Sequence, residues 1–218
     1  MRRGVLFDLD GTLVDSPRAI VAAFTAAFGS LGRPAPEPAA IRATIGLPLE
    51  RAFADLTGEP GGMAAYVRAY QTAFREIVLP QAADLLFPGV VAGLAALRED
   101  GFALAVATSK YHASADALLT AAGIRAQFAA LVGADQVRNP KPDPETGRLA
   151  LDLLGVRAGR AAMVGDTTHD VLMASAAGMR SVAVSYGVHT VAQLRSANPT
   201  YLAGSFDAAT SLLRQELT

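Results

Sequence analysis

The chain contains no cysteine, which excludes disulfides, thiolate metal sites and a thiolate nucleophile. Lysine is almost as scarce, with only Lys110 and Lys141 against seventeen arginines. Neither sign of charge dominates: 19 basic and 20 acidic residues leave a net charge of -1. With no basic stripe, neither a nucleic-acid partner nor a membrane surface is expected. No apolar run approaches the roughly 20 residues that a membrane-spanning helix needs. Met1-Arg2-Arg3-Gly4 has the positive start of a signal peptide, but Asp8 and Asp10 interrupt the apolar stretch behind it. A cytoplasmic protein is therefore expected, in keeping with the absence of cysteine.

What is present is apolar: 51% of the 218 residues are hydrophobic and 18% are charged, enough for an ample core. Val5-Leu6-Phe7-Asp8-Leu9 is nearly continuous in hydrophobicity, as in a strand buried on both faces of a parallel sheet. Similar runs occur at Phe102 to Ala107, Ala161 to Val164 and Ser181 to Val184. Between them, apolar residues at three- and four-residue spacing predict helices near 89–100, 111–122, 144–154 and 169–177. This alternation predicts a doubly wound (Rossmann-like) α/β fold with a parallel sheet. Residues 15–82 break the rhythm with helical patterns and little strand character, punctuated at Gly32 to Pro36 and Gly58 to Gly62. They read as an inserted helical domain, leaving 1–14 and 83–218 as the core. Asp15-Ser16-Pro17 predicts the start of its first helix, with a capping side chain followed by proline.

Ligands of open α/β sheets bind beyond the carboxyl ends of the strands, and four polar clusters fall there. Asp8-Leu9-Asp10-Gly11-Thr12 follows the first strand, where residues two apart point to one side. Gly165-Asp166-Thr167-Thr168-His169-Asp170 follows a later strand and adds further carboxylates, the hard ligand set that Mg²⁺ takes. Thr108-Ser109-Lys110 offers hydroxyls and backbone amides at a helix start, an anion site. Prolines on both sides hold Lys141 in a stiff loop. Taken singly, each cluster also fits a plain structural role: an acidic turn, a helix cap or a solvated lysine. Both lysines of the chain nevertheless fall in these clusters.

In this order and at these spacings, the four clusters resemble those of the haloacid dehalogenase (HAD) superfamily of phosphatases. Asp8 to Thr12 resembles its first motif, Thr108 its second, Lys141 its third, and Asp166 with Asp170 its fourth. The helical insertion after the first motif resembles the family's smaller cap type. The resemblance implies an aspartyl-phosphate mechanism, with Asp8 as nucleophile and Asp10 as general acid and base. Mg²⁺ would be held by Asp8, Asp10 (through its backbone carbonyl) and Asp166, with Asp170 as a nearby ligand. Thr108, Ser109, Lys110 and Lys141 would hold the phosphoryl group, with backbone amides of Gly11 and Thr12.

Departures from subfamily patterns narrow the chemistry. Asp10 is present, unlike in the dehalogenases. Residues 15–82 contain no lysine, unlike the cap of phosphonoacetaldehyde hydrolases. Ile20 stands where β-phosphoglucomutases carry a cap histidine. The remaining detail, Ile45 to Glu50 and Tyr186-Gly187-Val188 included, resembles phosphoglycolate phosphatases, and also pyrophosphatases and nucleotidases of the same branch. A small phosphorylated metabolite, with phosphoglycolate as one form, is the expected substrate, and a monomer or homodimer the expected state. A phosphosugar mutase and a silent HAD-like binding protein are the alternatives. The segment from Thr44 to Arg51 would shape specificity, with Arg18, Arg42 and Arg51 meeting a second anionic group. His112 and His169 read as surface or capping residues, and His189 has no functional role.

Overall fold

Val5, Leu6 and Phe7 are fully buried, as a strand covered on both faces requires. They lie in β1 (Arg3–Phe7) of a computed structural model that describes residues 2–59 and 61–217. Met1 and Thr218, at the ends of the expected core, and Pro60, in the expected turn at Gly58 to Gly62, lie outside the described residues. The other strands are β2 (Phe102–Ala107), β3 (Ala130–Val132), β4 (Ala161–Gly165), β5 (Arg180–Val184) and β6 (Tyr201–Ala203). They form one sheet in the order β3-β2-β1-β4-β5-β6, with every neighbouring pair parallel. The chain winds outward on one side of β1 and then, from β4, on the other. The switch point lies between β1 and β4, where such sheets open a crevice.

Alternation along β1 sorts the two apolar layers: Val5 and Phe7 face one side, Leu6 the other. Helices α5 (Val90–Glu99) and α10 (Phe206–Glu216) cover the first side, where Phe206 stacks on Phe7 with ring centroids 5.7 Å apart. Helices α7 (Glu145–Leu154) and α8 (Thr168–Ala177) cover the second. The shorter α6 (His112–Ala121) and α9 (Val191–Ser196) follow β2 and β5. No helix among the described residues is long and apolar enough to cross a membrane.

Four helices, α1 (Pro17–Ser30), α2 (Pro38–Ala43), α3 (Leu49–Thr57) and α4 (Ala64–Ile77), intervene between β1 and α5. Their centre is aromatic. Fully buried Phe53 lies 4.7 Å from Phe24, 5.8 Å from Phe28 and 5.3 Å from Tyr66 between ring centroids. The chain leaves and re-enters the sheet layer side by side, through bonds from Asp15 N to Leu85 O (2.7 Å) and Phe87 N to Leu13 O (3.1 Å). Pro17 opens α1 as expected, but Ser16 makes no side-chain cap and its hydroxyl turns to Asp10 instead. The two edge strands, β3 and β6, have three residues each, too few to show a period, and were not among the expected elements.

The aromatic centre predicts a stability effect. Phe53→Ala should cost about 3–5 kcal/mol, read as a lower midpoint of urea unfolding. An unchanged midpoint would mean that the cluster does not hold α1, α3 and α4 together.

Candidate active site

The carboxylates expected at the strand ends converge. Asp8 leaves the end of β1, and its amide still bonds Val164 O of β4 at 2.9 Å. Asp166 follows β4, and Asp170 lies in the first turn of α8. One oxygen from each of the three lies within 4.8 Å of the others, and all three residues are buried. Lys141 enters from the loop before α7. Its ammonium is 3.0 Å from Asp8 and 2.7 Å from Asp170, and donates to Ala107 O at 3.1 Å. Burial alone would lower the lysine's pKa, but the charges of Asp170 and Asp8 outweigh it and hold it above its ordinary value.

The aspartates show the strain of this crowding. Burial, only partly offset by Lys141, pushes Asp8 up to about 6. Asp166, buried and facing the charges of Asp8 and Asp170, is pushed up to about 8. Three buried carboxyl groups with one ammonium between them form an electrostatic environment suited to a divalent cation. An all-oxygen donor set of this kind fits Mg²⁺.

Each carboxylate is aimed by its neighbours. Asp166 accepts from Thr12 Oγ1 at 2.7 Å and from Val188 N at 2.8 Å. The backbone crowds it as well: a Cβ on Gly187 would stand 2.3 Å from its Oδ2, and one on Gly11, at φ 84°, equally close. Asp170 accepts from the amide and hydroxyl of Thr167 at 3.0 and 2.7 Å, a capping box that pins it at the start of α8. Tyr186 donates to Thr12 O at 2.9 Å, so the Tyr186–Val188 segment braces both Asp166 and its partner Thr12.

Asp10 stands apart from this trio. Its carboxylate accepts from Ser16 Oγ at 2.6 Å and pairs with Lys110 at 2.9 Å, so only its backbone carbonyl remains for the metal role expected of it. Lys110 lies under helix α4, its ammonium 4.5 Å from the centroid of Phe74. Burial would lower its pKa, but Asp10 and Tyr70 raise it above the ordinary value.

A cavity of about 60 Å³ opens between these strand ends and the four-helix segment. Asp8, Asp10, Thr108, Ser109 and Lys110 form its polar floor. Thr44, Ile45, Gly46, Leu47 and Leu49 come from the segment expected to shape specificity. Thr108 Oγ1 caps the Lys110 amide at 3.2 Å, whereas the buried Ser109 hydroxyl has no hydrogen-bond partner.

Several expected residues sit elsewhere. Arg18 and Arg42 are exposed and do not line the cavity, and Arg51 pairs with Asp55 at 2.8 Å on the surface. A guanidinium is costly to bury without a carboxylate of its own, and those of the cavity floor, Asp10 and Asp8, are already paired with Lys110 and Lys141. The Gly11 and Thr12 amides are spent on Val14 O and Leu9 O, within the turn itself. His189, given no role from sequence, accepts from the Thr168 amide at 3.1 Å and so supports the loop between Asp166 and Asp170. Sequence reasoning also passed over Tyr111, whose hydroxyl bonds Glu50 across the cavity mouth, and over Tyr70. The spacing of Tyr70 and Phe74 on one helix face was the signal for the latter.

The haloacid dehalogenase-like hydrolase family model matches residues 5–184. The protein named "Probable phosphatase IndB" of Dickeya dadantii is 53% identical, over 98% of this chain and 96% of its own length. A phosphoglycolate phosphatase of Mesorhizobium japonicum is 32% identical, over 98% and 95%. The crystal structure of "a predicted phosphatase from Clostridium acetobutylicum" superposes with a TM-score of 0.87 at 25% identity, covering 99% of this chain and 100% of that one. The parallel sheet, the matched family and relatives of nearly the same length together identify the chain as a haloacid dehalogenase-like hydrolase, a phosphatase of that family.

Proposed function

We propose that the protein is a Mg²⁺-dependent phosphatase that hydrolyses a small phosphorylated metabolite through a phosphorylated Asp8. One observation carries this: Asp8 is the single residue that both belongs to the three-carboxylate group and lines the cavity. It is where a cation and a substrate would meet. Residues 15–82 act as the cap over a core of 1–14 and 83–218, and the antiparallel bridge between Val14 and Leu86, with its two backbone bonds, supports a junction there.

Asp8, Asp166 and the Asp10 backbone carbonyl would hold Mg²⁺, with Asp170 beside them. Bound there, the ion would offset the repulsion between the anionic nucleophile and the phosphoryl group. The carboxylate of Asp8 attacks phosphorus, and the bond to the leaving oxygen breaks. Asp10, on the same cavity floor, protonates that oxygen and then takes a proton from the water that releases phosphate. Ser16 and Lys110 hold its carboxylate in place for both transfers. Lys141 and Thr108 carry charge on the phosphoryl oxygens, and the unpartnered hydroxyl of Ser109 supports a further contact. Ile20, on the cavity wall, offers no base for returning the phosphoryl group to a bound sugar, which favours hydrolysis over a mutase reaction. The cysteine-free composition supports a cytoplasmic setting.

Asp8→Asn should abolish phosphate release from acetyl phosphate or p-nitrophenyl phosphate while leaving the circular dichroism spectrum unchanged. Turnover at the wild-type rate would sink the assignment of the nucleophile. Asp10→Asn should slow both halves of the reaction and let the phosphorylated chain accumulate, visible as an added phosphoryl mass. A variant that turns over without that accumulation and at full speed would remove Asp10 from the mechanism.

Raised aspartate pKa values also set a pH dependence. Above 3.8, and up to about 6 at Asp8 and about 8 at Asp166, the folded, metal-free chain keeps protons that the unfolded chain has released. These groups therefore stabilise the fold less as pH rises. Mg²⁺ must displace the same protons, so the Tm increase on adding it should be small at pH 5 and grow up to about pH 8. A Mg²⁺ effect that stays constant from pH 5 to pH 9 would argue against binding at these carboxylates.

A further inference from the structure

We infer that this phosphatase selects phosphate esters whose leaving group is uncharged, and discriminates against those carrying a second anionic group such as a carboxylate or another phosphate. The inference rests on the phosphatase site proposed above and narrows its substrate class.

The cavity has no cation to spare. Among the described residues that line it, Lys110 carries the only positive charge. That ammonium is already paired with Asp10 at 2.9 Å, with side chains only 8% and 13% exposed respectively. Lys141, behind the floor, is divided between Asp8 and Asp170. The arginines that could have met a second anion, Arg18, Arg42 and Arg51, lie outside on the surface.

Beyond the floor the lining is largely apolar, with Ile20, Phe24, Ile45, Leu47, Leu49 and Ala52, and its polar members, Thr44, Tyr70, Tyr111 and Ser114, carry no positive charge. An anionic group placed there would lose its water and meet no cation. It would also face a floor already rich in carboxylate. If it drew Lys110 to itself, the Asp10 carboxylate would be left nearly buried beside a new negative charge. Lys110 is thus a positioning residue for Asp10 and not a receptor for substrate charge. An uncharged leaving group meets the same wall at no electrostatic cost.

The test compares near-isosteric pairs in the presence of Mg²⁺, with inorganic phosphate release as the readout. 2-Hydroxyethyl phosphate is set against phosphoglycolate, and 4-carbamoylphenyl phosphate against 4-carboxyphenyl phosphate. The uncharged member of each pair should show at least about tenfold higher kcat/KM, as expected for a desolvated charge without a partner. In Lys110→Met, kcat/KM should fall for both members of a pair together. Equal or better hydrolysis of the carboxylated members would overturn the inference while leaving the phosphatase site standing. So would a Lys110→Met variant that loses only the carboxylated members, since that would make Lys110 the anion receptor. Absence of hydrolysis of every ester, acetyl phosphate included, would instead remove the phosphatase site and this inference with it.

Discussion

Asp8, Asp166 and Asp170 are brought out of water to one point at the ends of β1 and β4, with the Lys141 ammonium set between Asp8 and Asp170. Like charges so close and so buried are tolerated only if something compensates them, and much of the surrounding structure can be read as that compensation. Thr12 and Val188 donate to Asp166, Thr167 to Asp170, and the Leu9 amide to Asp8. Tyr186 and His189 then hold the backbone from which those donors point. Even so, Asp8 and Asp166 remain well above ordinary carboxylates, so a divalent cation bound there would have to displace their protons.

A second, smaller ion pair divides the labour. Asp10 and Lys110 neutralise one another on the cavity floor, roofed by Phe74 and Tyr70 of α4. The helices inserted after β1 therefore do more than enclose space. They bring aromatic rings over the one lysine that steadies Asp10, and a Glu50–Tyr111 bond ties α3 to the start of α6. Above this floor the lining is largely apolar and holds no arginine, so the desolvation of a second charge there would meet no counter-ion.

Family membership and core chemistry are shared with relatives of different specificity, so the core motifs speak for phosphoryl transfer and not for a substrate. The segment from Thr44 to Leu49 lines the cavity with all but Pro48, and it also packs on the site: a Cβ on Gly46 would stand 3.1 Å from Cγ2 of Thr167, the residue that pins Asp170.

Much of this was legible in the amino-acid sequence because strand ends and carboxylates are local features. Phe102 to Ala107 is the observed β2, the carboxylates at 8, 166 and 170 meet as their positions beyond strands required, and Lys141 is the buried cation between them. The short edge strands β3 and β6 were not legible, since three residues form a strand only when a neighbour supplies the hydrogen bonds. Nor were the destinations of side chains that could serve two partners. Ser16 reads as a helix cap until Asp10 competes for its hydroxyl, and Lys110 reads as a phosphate ligand until the fold pairs it with Asp10. The arginines of the four helices show the same limit: sequence offers them as candidates, but they stay on the surface, and the cavity's carboxylates are already paired with Lys110 and Lys141. The sequence by itself thus determined which groups gather at the strand ends. Only the tertiary structure decided which of them pair with one another, because pairing across the chain depends on distances that no local pattern encodes.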